Sequence, residues 1–141
     1  MPEVVVRKVK IEDAVRLAEL TRQLTKNIVA GLERRTEKFI TKNNTQWFMA
    51  VKDGLVVGSA GLVWYEIPSK SLMGWIEEVI VDENYRRQGI ADLLIDRILE
   101  FGEDLGLTQI KLTTANGGAR FLYERHGFAD KQEILMVKKY Y

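Results

Sequence analysis

A strand that runs into a basic, glycine-containing turn and then into an amphipathic helix is the feature that most constrains this chain. The strand, residues 75–81, is rich in Val and Ile, and Arg86, Arg87 and Gly89 lie in the turn. The helix repeats apolar residues at spacings of three and four, which predicts one buried face. These residues are Ile90, Leu94, Ile98, Phe101 and Leu105.

The turn before this helix suits an anionic ligand. The first turn of a helix leaves backbone N–H groups unpaired and carries the positive end of the helix dipole. Gly89 allows a phosphate to approach the backbone. The alternative is an ordinary strand-to-helix turn in which Arg86 and Arg87 are solvated. The turn alone does not decide between the two.

The composition is that of a globular protein whose partners are not selected by overall charge. Hydrophobic residues make up 46% and charged residues 29% of the 141 residues, which predicts a single domain over 1–141. The net charge of +1 favours neither a nucleic acid nor a membrane as partner. Charged residues between Glu3 and Asp13 argue against a signal peptide, and no apolar run reaches membrane-spanning length. We therefore expect a cytoplasmic location.

Residue types and motifs that are absent from the sequence exclude several kinds of chemistry. The chain has no cysteine and one histidine, so neither a Cys/His zinc site nor a cysteine-bound acyl intermediate can form, and no metal is expected. The segment 58–61 lacks the Gly-x-Ser-x-Gly spacing of a hydrolase nucleophile. The phosphate-binding motifs Gly-x-x-x-x-Gly-Lys-Ser/Thr and Gly-x-Gly-x-x-Gly are also absent.

The first half of the chain is predicted to form a strand, two helices and a hairpin. The strand spans 4–9, and the first helix continues to Gly31, which ends it. Its apolar face carries Leu17, Leu20, Leu24 and Ile28. A second helix is predicted over 32–40. The hairpin turns at Asp53-Gly54, a strong turn signal, between strands at 47–51 and 55–64.

The second half adds the strand and helix described first, a strand over 109–113, a helix over 119–125 and a strand over 134–138 that closes the sheet. Gly106 is the predicted cap of the long helix. The order β-α-α-β-β-β-α-β-α-β belongs to the α+β class, with a mixed sheet.

Two motifs in this order resemble the GNAT superfamily of acyl-CoA-dependent N-acetyltransferases. Residues 86–91 fit the pattern Arg/Gln-x-x-Gly-x-Gly/Ala. About thirty residues later, 116–128 fit Asn-x-x-Ala-x-x-Leu-Tyr-x-x-x-Gly-Phe. The resemblance is strong over 73–128 and rests on layout before that. It implies a mixed, mostly antiparallel central sheet flanked by helices.

The resemblance also implies acetyl-CoA as cosubstrate. The turn and the start of the helix would bind the coenzyme pyrophosphate, through Arg86, Arg87, Gln88, Gly89, Ile90, Ala91 and Asp92. The backbone of Val79, Ile80 and Val81 would face the pantetheine amides. Asn116 would touch the pantetheine arm, cap its helix, or do both. Ala91 replaces the more common Gly, with a small expected loss of phosphate access.

Glu77 and Glu78 are the candidates for the base that deprotonates an amine. Strand alternation places Glu77 on the face of Val79, and Glu78 on the face of Ile76 and Ile80. By resemblance the role falls first on Glu77, unless a bulge reverses the faces. The alternative is a pair of solvated glutamates at a strand end.

Tyr123 is the candidate acid for the leaving thiolate, by its match to the second motif. The alternative is a core tyrosine beside Phe121. His126 is expected to complement a helix C-terminus. The three tryptophans could line an acceptor pocket, but core packing is the role expected of at least two of them. They are Trp47, Trp64 and Trp75.

The leading hypothesis is direct acetyl transfer from acetyl-CoA to a primary amine, without a covalent enzyme intermediate. Residues 74–78 look most like glucosamine-6-phosphate N-acetyltransferases, whereas the Asn-x-x-Ala spacing is closer to protein and antibiotic acetyltransferases. The acceptor therefore stays open between a small molecule and a peptide, and a homodimer is compatible with the resemblance. The alternative is a non-catalytic acyl-CoA-binding or sensor domain.

Overall fold

The computed structural model describes residues 3–25, 30–115 and 117–140 of the chain. They contain a five-stranded sheet in the order β1-β2-β3-β4-β5. Neighbouring strands pair antiparallel except β4 and β5, which pair parallel. The strands are β1 Val5–Lys8, β2 Thr45–Lys52, β3 Leu55–Ile67, β4 Ser71–Val81 and β5 Gln109–Lys111.

Four α-helices accompany the sheet: α1 Ala14–Leu24, α2 Leu32–Ile40, α3 Ile90–Leu105 and α4 Gly117–Arg125. Helix α3 packs on β1 to β4, whereas α1 packs on β3 and β4 and α2 on β2. Among the described residues no helix has the length and hydropathy needed to cross a membrane. The mixed, mostly antiparallel α+β architecture predicted from the sequence is confirmed.

The two faces of the sheet have separate cores. On the α3 side, Phe48, Leu62 and Ile76 pack with buried residues of the helix. On the α1 side, Leu17 and Leu20 pack with Trp47, Met49, Val56 and Ile80. The predicted face of α3 is confirmed, because Ile90, Leu94 and Ile98 are buried and Phe101 packs against the same core.

Two turn predictions are confirmed by the backbone. Asp53 and Gly54 join β2 to β3 with positive φ angles of 50° and 77°, as a two-residue hairpin turn requires. Gly106 caps α3 in the left-handed conformation, and its N–H donates to a carbonyl of the last turn.

The first helix is shorter than predicted. It ends at Leu24, where Thr25 is already extended, instead of continuing to Gly31. Leu24 is half-exposed, so a further turn would have gained little burial to offset the poor helix propensity of a β-branched residue. Ile28, predicted on the same face, lies outside the described residues.

The prediction of a closing strand over 134–138 is wrong. Residues 128–140 belong to no helix or strand, and the side chains of Ile134 and Met136 are 87% and 86% exposed. The segment has the β-branched and apolar composition of a strand, but a strand forms only where its backbone pairs with another. No strand in the described part of the chain pairs with this segment.

An ion pair joins α1 to the end of β4. Asp82 is 5% exposed, and its carboxylate accepts hydrogen bonds from the Arg16 guanidinium at 2.6 Å and from the Asn84 N–H at 2.9 Å. The Arg16 Nε also donates to the Val56 carbonyl at 2.9 Å. These contacts fix the strand end that leads into the glycine turn.

Asp82→Asn should destabilise the fold by about 2–4 kcal/mol, because it leaves the Arg16 guanidinium without its buried counter-charge. Glu19→Gln is the matched control: Glu19 also pairs with Arg16, but at an exposed position, so its loss should cost less than about 1 kcal/mol. Urea unfolding measures both. Equal losses in the two variants would show that the pair does not anchor β4.

The same pair predicts the acid limb of stability. The Asn84 N–H and the Arg16 guanidinium lower the pKa of Asp82, so its stabilisation is complete above the unfolded-state pKa. The stabilisation is lost as the pH falls through the lower folded-state pKa. At neutral pH the free energy of unfolding of Asp82→Asn should therefore be lower than that of the native chain. This difference should shrink as the pH falls through the folded-state pKa of Asp82.

Candidate active site

The glycine turn between β4 and α3 has the backbone form of an anion site. Arg87 and Gly89 adopt left-handed φ angles of 63° and 76°, and Gln88 between them is not among the residues with a positive φ. An alternation of this kind is typical of backbone nests that bind anions. Gly89 is the N-cap of α3, and a Cβ built on it would meet nothing within 4 Å. The predicted phosphate turn is thus open at its glycine.

The side chains of the turn differ in availability. Arg86 Nε donates to the Val81 carbonyl at 3.3 Å, and the Gln88 amide oxygen accepts from Lys52 Nζ at 2.8 Å. Residues 86–89 are exposed, Ile90 is buried in the core, and Ala91 is partly buried. What the turn offers a ligand is therefore its N–H groups and the arginine charges.

Strands β4 and β5 diverge next to this turn. They pair only from Met73–Gln109 to Trp75–Lys111. Beyond Trp75, the β5-facing edge of 76–81 has no strand partner in the described residues. Backbone amides on such an edge can accept an extended, peptide-like ligand, so this edge offers the contacts predicted for Val79, Ile80 and Val81.

A β-bulge in β4 changes the predicted faces of the two glutamates. Gly61 pairs with Glu77 and Ser59 with Ile80, so two residues of β4 lie opposite Ala60 alone, and Glu78 has a positive φ of 48°. The prediction that Ile76 and Ile80 share a face is wrong, because they pack in the two opposite cores.

Because of the bulge, Glu77 and Glu78 line the same cavity. Its volume is about 340 Å³, and its other walls come from α1, α2, β2 and β3. Most of the lining is apolar, namely Leu17, Leu32, Phe39, Ile40, Trp47 and Val63, with Thr21, Thr36 and Arg35 as its other polar groups. The cavity is an apolar chamber with two carboxylates and one cation.

Both carboxyl groups are stronger bases than a free glutamate. Burial raises the pKa of Glu77. Burial also raises the pKa of Glu78, the negative charge of Glu77 raises it further, and Arg35 opposes the shift. Both residues are exposed at the mouth of the cavity, so the raised pKa of each reflects only a partial loss of water.

Tyr123 lies on α4, away from the residues that line the cavity. Its ring contacts Phe128 edge-to-face at 6.0 Å and packs against the α3-side core. Burial raises the pKa of its phenol, which keeps the proton on the hydroxyl at neutral pH. Phe121, its predicted neighbour in a structural role, is instead 68% exposed.

His126 follows α4 directly, and its imidazole contacts two carboxylates of α3. The spacing of these residues in the sequence did not predict this contact. The His126 Nε2 lies 2.8 Å from Asp92 and its Nδ1 3.0 Å from Asp96, while Arg125 donates to Asp92 at 3.0 Å. The hydrogen bond from His126, followed by that from Arg125, lowers the pKa of Asp92. Asp92, predicted to bind coenzyme, already has these two partners.

The tryptophans and Asn116 complete the comparison with the sequence. Trp47 is buried and lines the cavity. Trp64 packs against Phe101 in a tilted arrangement, with ring centroids 5.8 Å apart. The Trp75 indole N–H donates to a tyrosine hydroxyl at 3.1 Å. Asn116 lies outside the described residues. No group of three or more His, Asp or Glu side chains in the described chain is arranged to hold a metal ion.

Comparison with known proteins identifies the class to which this fold and site belong. The sequence profile of the Acetyltransferase (GNAT) family matches residues 15–128. The chain therefore belongs to the GNAT family.

Individual proteins that resemble this chain have low sequence identity to it. N-acetyltransferase 8 of Rattus norvegicus is 30% identical over 104 residues, which cover 72% of this chain and 47% of that protein. The chain thus spans about half the length of the curated relatives it matches. A predicted acetyltransferase from Clostridium acetobutylicum, solved with acetyl-CoA, has a TM-score of 0.80 at 19% identity, with 96% of each chain covered. Glucosamine-6-phosphate N-acetyltransferase from Arabidopsis thaliana has a TM-score of 0.83 at 19% identity, covering 98% of this chain and 99% of that one. At these identities the structures show a shared fold.

The open glycine predicts a matched pair of variants. Gly89→Leu should weaken coenzyme A binding by about tenfold or more, because its side chain would occupy the approach to the nest. Gly106→Leu is the control: that glycine caps the other end of α3 with φ 82° and equally open surroundings, so the backbone strain is similar. Calorimetry measures affinity, and thermal unfolding measures strain. Equal affinities in the two folded variants would remove the phosphate site from this turn.

Proposed function

We propose that this chain transfers an acetyl group from acetyl-CoA directly to a primary amine, and that 1–141 acts as one N-acetyltransferase domain. The observation that carries the proposal is the pair of carboxylates on β4, which lie in an apolar cavity next to an unpaired strand edge and an anion-binding turn. Membership of the GNAT family supports it.

Coenzyme binding follows the path from the turn to the diverging strands. The N–H groups of 86–92 and the arginines receive the pyrophosphate, and the pantetheine amides pair with the backbone of 79–81. The side chains of Gln88 and Asp92 have protein partners and contribute through their backbone. Asn116 is assigned to the pantetheine arm by the motif alone.

The acceptor must lose a proton before it attacks. An alkylammonium of pKa about 10.4 is almost fully charged at pH 7, and its deprotonation costs about 4–5 kcal/mol. Glu77 or Glu78, directly or through a water, takes that proton, and the other carboxylate holds the ammonium in place. Their raised pKa makes the proton transfer less unfavourable.

The remaining steps require no covalent bond between the acetyl group and the enzyme. The amine nitrogen forms a bond to the thioester carbonyl carbon, and the carbon–sulfur bond breaks as the tetrahedral intermediate collapses. The departing thiolate receives a hydrogen bond or a proton from Tyr123, whose phenol is protonated at neutral pH. As the amide forms, its nitrogen loses a second proton to solvent, and the phenol regains from solvent the proton that it gave to sulfur. Cysteine is absent from the chain, so the acetyl group cannot pass through an enzyme thioester.

The cavity walls indicate the chemical class of the acceptor. Six apolar side chains line the cavity together with the two glutamates, and Arg35 of α2 adds a cation to the lining. A polycationic acceptor would have to desolvate several charges against these apolar walls and the Arg35 charge. An amine with an apolar body instead places one ammonium at the glutamates and gains burial elsewhere. We therefore favour arylalkyl and alkyl amines over aminoglycosides and polyamines.

Acetyl-CoA turnover with a panel of amines tests the function. Because the chain has no cysteine, a thiol-reactive dye reports only released coenzyme. Phenethylamine and hexylamine should stimulate release strongly and spermidine weakly, and Tyr123→Phe should lower kcat by about 10²-fold with little change in coenzyme affinity. Coenzyme binding without stimulation by any amine would favour the acyl-CoA sensor over the enzyme.

The two glutamates predict a pH signature. Their pKa values are raised, so the native chain should lose kcat/KM as the pH falls through those values and the carboxylates become protonated. Glu77→Gln should flatten this acid limb and lower activity at pH 7, with recovery at higher pH, where free amine is abundant. Gln keeps the size of the side chain and isolates the charge.

Glu78→Gln is the matched control for that profile. The variant whose acid limb flattens identifies the base, and the other should mainly raise KM because it loses an ammonium contact. If both variants keep the native pH profile and activity, neither carboxylate takes part in proton transfer.

A further inference from the structure

A lysine outside both sequence motifs contacts the glycine turn. Lys52 is the last residue of β2, and its Nζ donates a hydrogen bond of 2.8 Å to the side-chain oxygen of Gln88, 36 residues later in the chain. Gln88 directly precedes Gly89, the N-cap of α3. The same Nζ lies 5.9 Å from the centroid of the Tyr85 ring, in the short 3₁₀ helix that follows β4. The Lys52 side chain therefore lies along the segment that joins β4 to α3.

The β2–β3 hairpin fixes Lys52 beside this segment. The hairpin turn 53–54 is two residues long, so Lys52 pairs directly with Leu55 at the start of β3. Two residues further along β3, the Val57 carbonyl accepts a hydrogen bond of 2.8 Å from the N–H of Asp82, the residue that follows β4. The hairpin tip and the start of the glycine segment are thus neighbours. A side chain at the end of a paired strand is placed more precisely than one on a loop.

The Lys52 ammonium has capacity left for a ligand. An ammonium has three N–H donors, and within the described chain the hydrogen bond to Gln88 uses one of them. None of the ion pairs formed by the described residues includes Lys52. Because Gln88 is neutral, its contact positions the ammonium without cancelling the charge.

The coenzyme carries more negative charge than the arginines of the turn can balance. Coenzyme A has a pyrophosphate and a phosphate monoester, with about four negative charges in total at pH 7. Arg86 and Arg87 are the two cations of the turn, and Arg86 Nε already donates to the Val81 carbonyl. A third cation at the same turn would add a charge-assisted hydrogen bond, which is stronger than one from a neutral N–H group.

We propose that Lys52 is a further coenzyme-binding residue, whose ammonium is placed by Gln88 and binds a phosphate group of coenzyme A. This assignment rests on the proposed binding of the coenzyme at the glycine turn. It makes the β2–β3 hairpin part of the coenzyme site, although the hairpin lies outside both motifs.

Calorimetry with coenzyme A compares Lys52 with a matched lysine. Lys52→Met keeps the apolar stem beside Tyr85 and removes the charge, so it should weaken binding about fivefold or more. Lys42→Met is the control: the Lys42 Nζ also lies over an aromatic ring, 4.9 Å from the Phe39 centroid, but Lys42 precedes β2 at the end opposite Lys52. It removes the same charge from the chain and should leave the affinity within about twofold of the native value.

Two further measurements separate charge from packing. Added KCl should lower the affinity of the native chain more steeply than that of Lys52→Met, because the variant has one fewer charged contact to screen. Lys52→Arg keeps the charge and should keep most of the affinity. Thermal unfolding checks that each variant is folded.

Dephospho-coenzyme A, which lacks the phosphate monoester, identifies the group that Lys52 binds. If the effect of Lys52→Met disappears with this ligand, Lys52 binds the monoester, and if the effect persists, Lys52 binds the pyrophosphate. A folded Lys52→Met that binds coenzyme A as tightly as Lys42→Met does, or a Lys52→Arg that loses as much affinity as Lys52→Met, would overturn the role of Lys52 and leave the coenzyme site in place. A native chain that does not bind coenzyme A would overturn both.

Discussion

In β4, one extra residue opposite Ala60 forces Glu78 into a left-handed conformation with φ 48°. For a residue with a side chain this conformation costs about 1–2 kcal/mol, which the surrounding structure must offset. The offset comes from Ile76 and Ile80, which flank the bulge and are buried in opposite cores. A bulge also increases the local twist of its strand and interrupts pairing. Both consequences define the site, since β4 separates from β5 after Trp75 and its two acids enter one cavity.

The sequence predicted the elements whose signal is local, and it missed those that depend on pairing. The three-and-four spacing of α3 and the Asp53-Gly54 turn carry their structure within a few residues, and both are confirmed. The bulge depends on how β3 and β4 align over a dozen residues, and alternation in β4 alone cannot reveal it. Residues 134–138 show the same limit: their composition is that of a strand, but pairing requires an edge that their own sequence does not specify.

The contacts between α4 and α3 show that the carboxylate of Asp92 has a structural role that the sequence did not predict. Asp92 follows the glycine turn, so the motif assigned it to the coenzyme, yet its carboxylate binds His126 and Arg125, more than thirty residues later. His126 contacts a second carboxylate, that of Asp96, so one imidazole joins two turns of α3 to the end of α4. Because α4 carries Tyr123, this contact sets where the phenol lies relative to the diverging strands. The lowered pKa of Asp92 keeps its carboxylate charged until the pH falls below the usual range of an aspartate.

The anchor at Asp82 couples the two halves of the proposed site. Arg16 reaches Asp82 from α1, and the same helix supplies Leu17 and Thr21 to the cavity wall. Asp82 itself ends β4 and accepts the Asn84 N–H at the start of the segment that leads to Gly89. The cavity proposed for the acceptor and the turn proposed for the phosphates are therefore both positioned by one ion pair. A strand end held in this way does not need the coenzyme to order it, and more of the binding energy is available to place the thioester beside the glutamates.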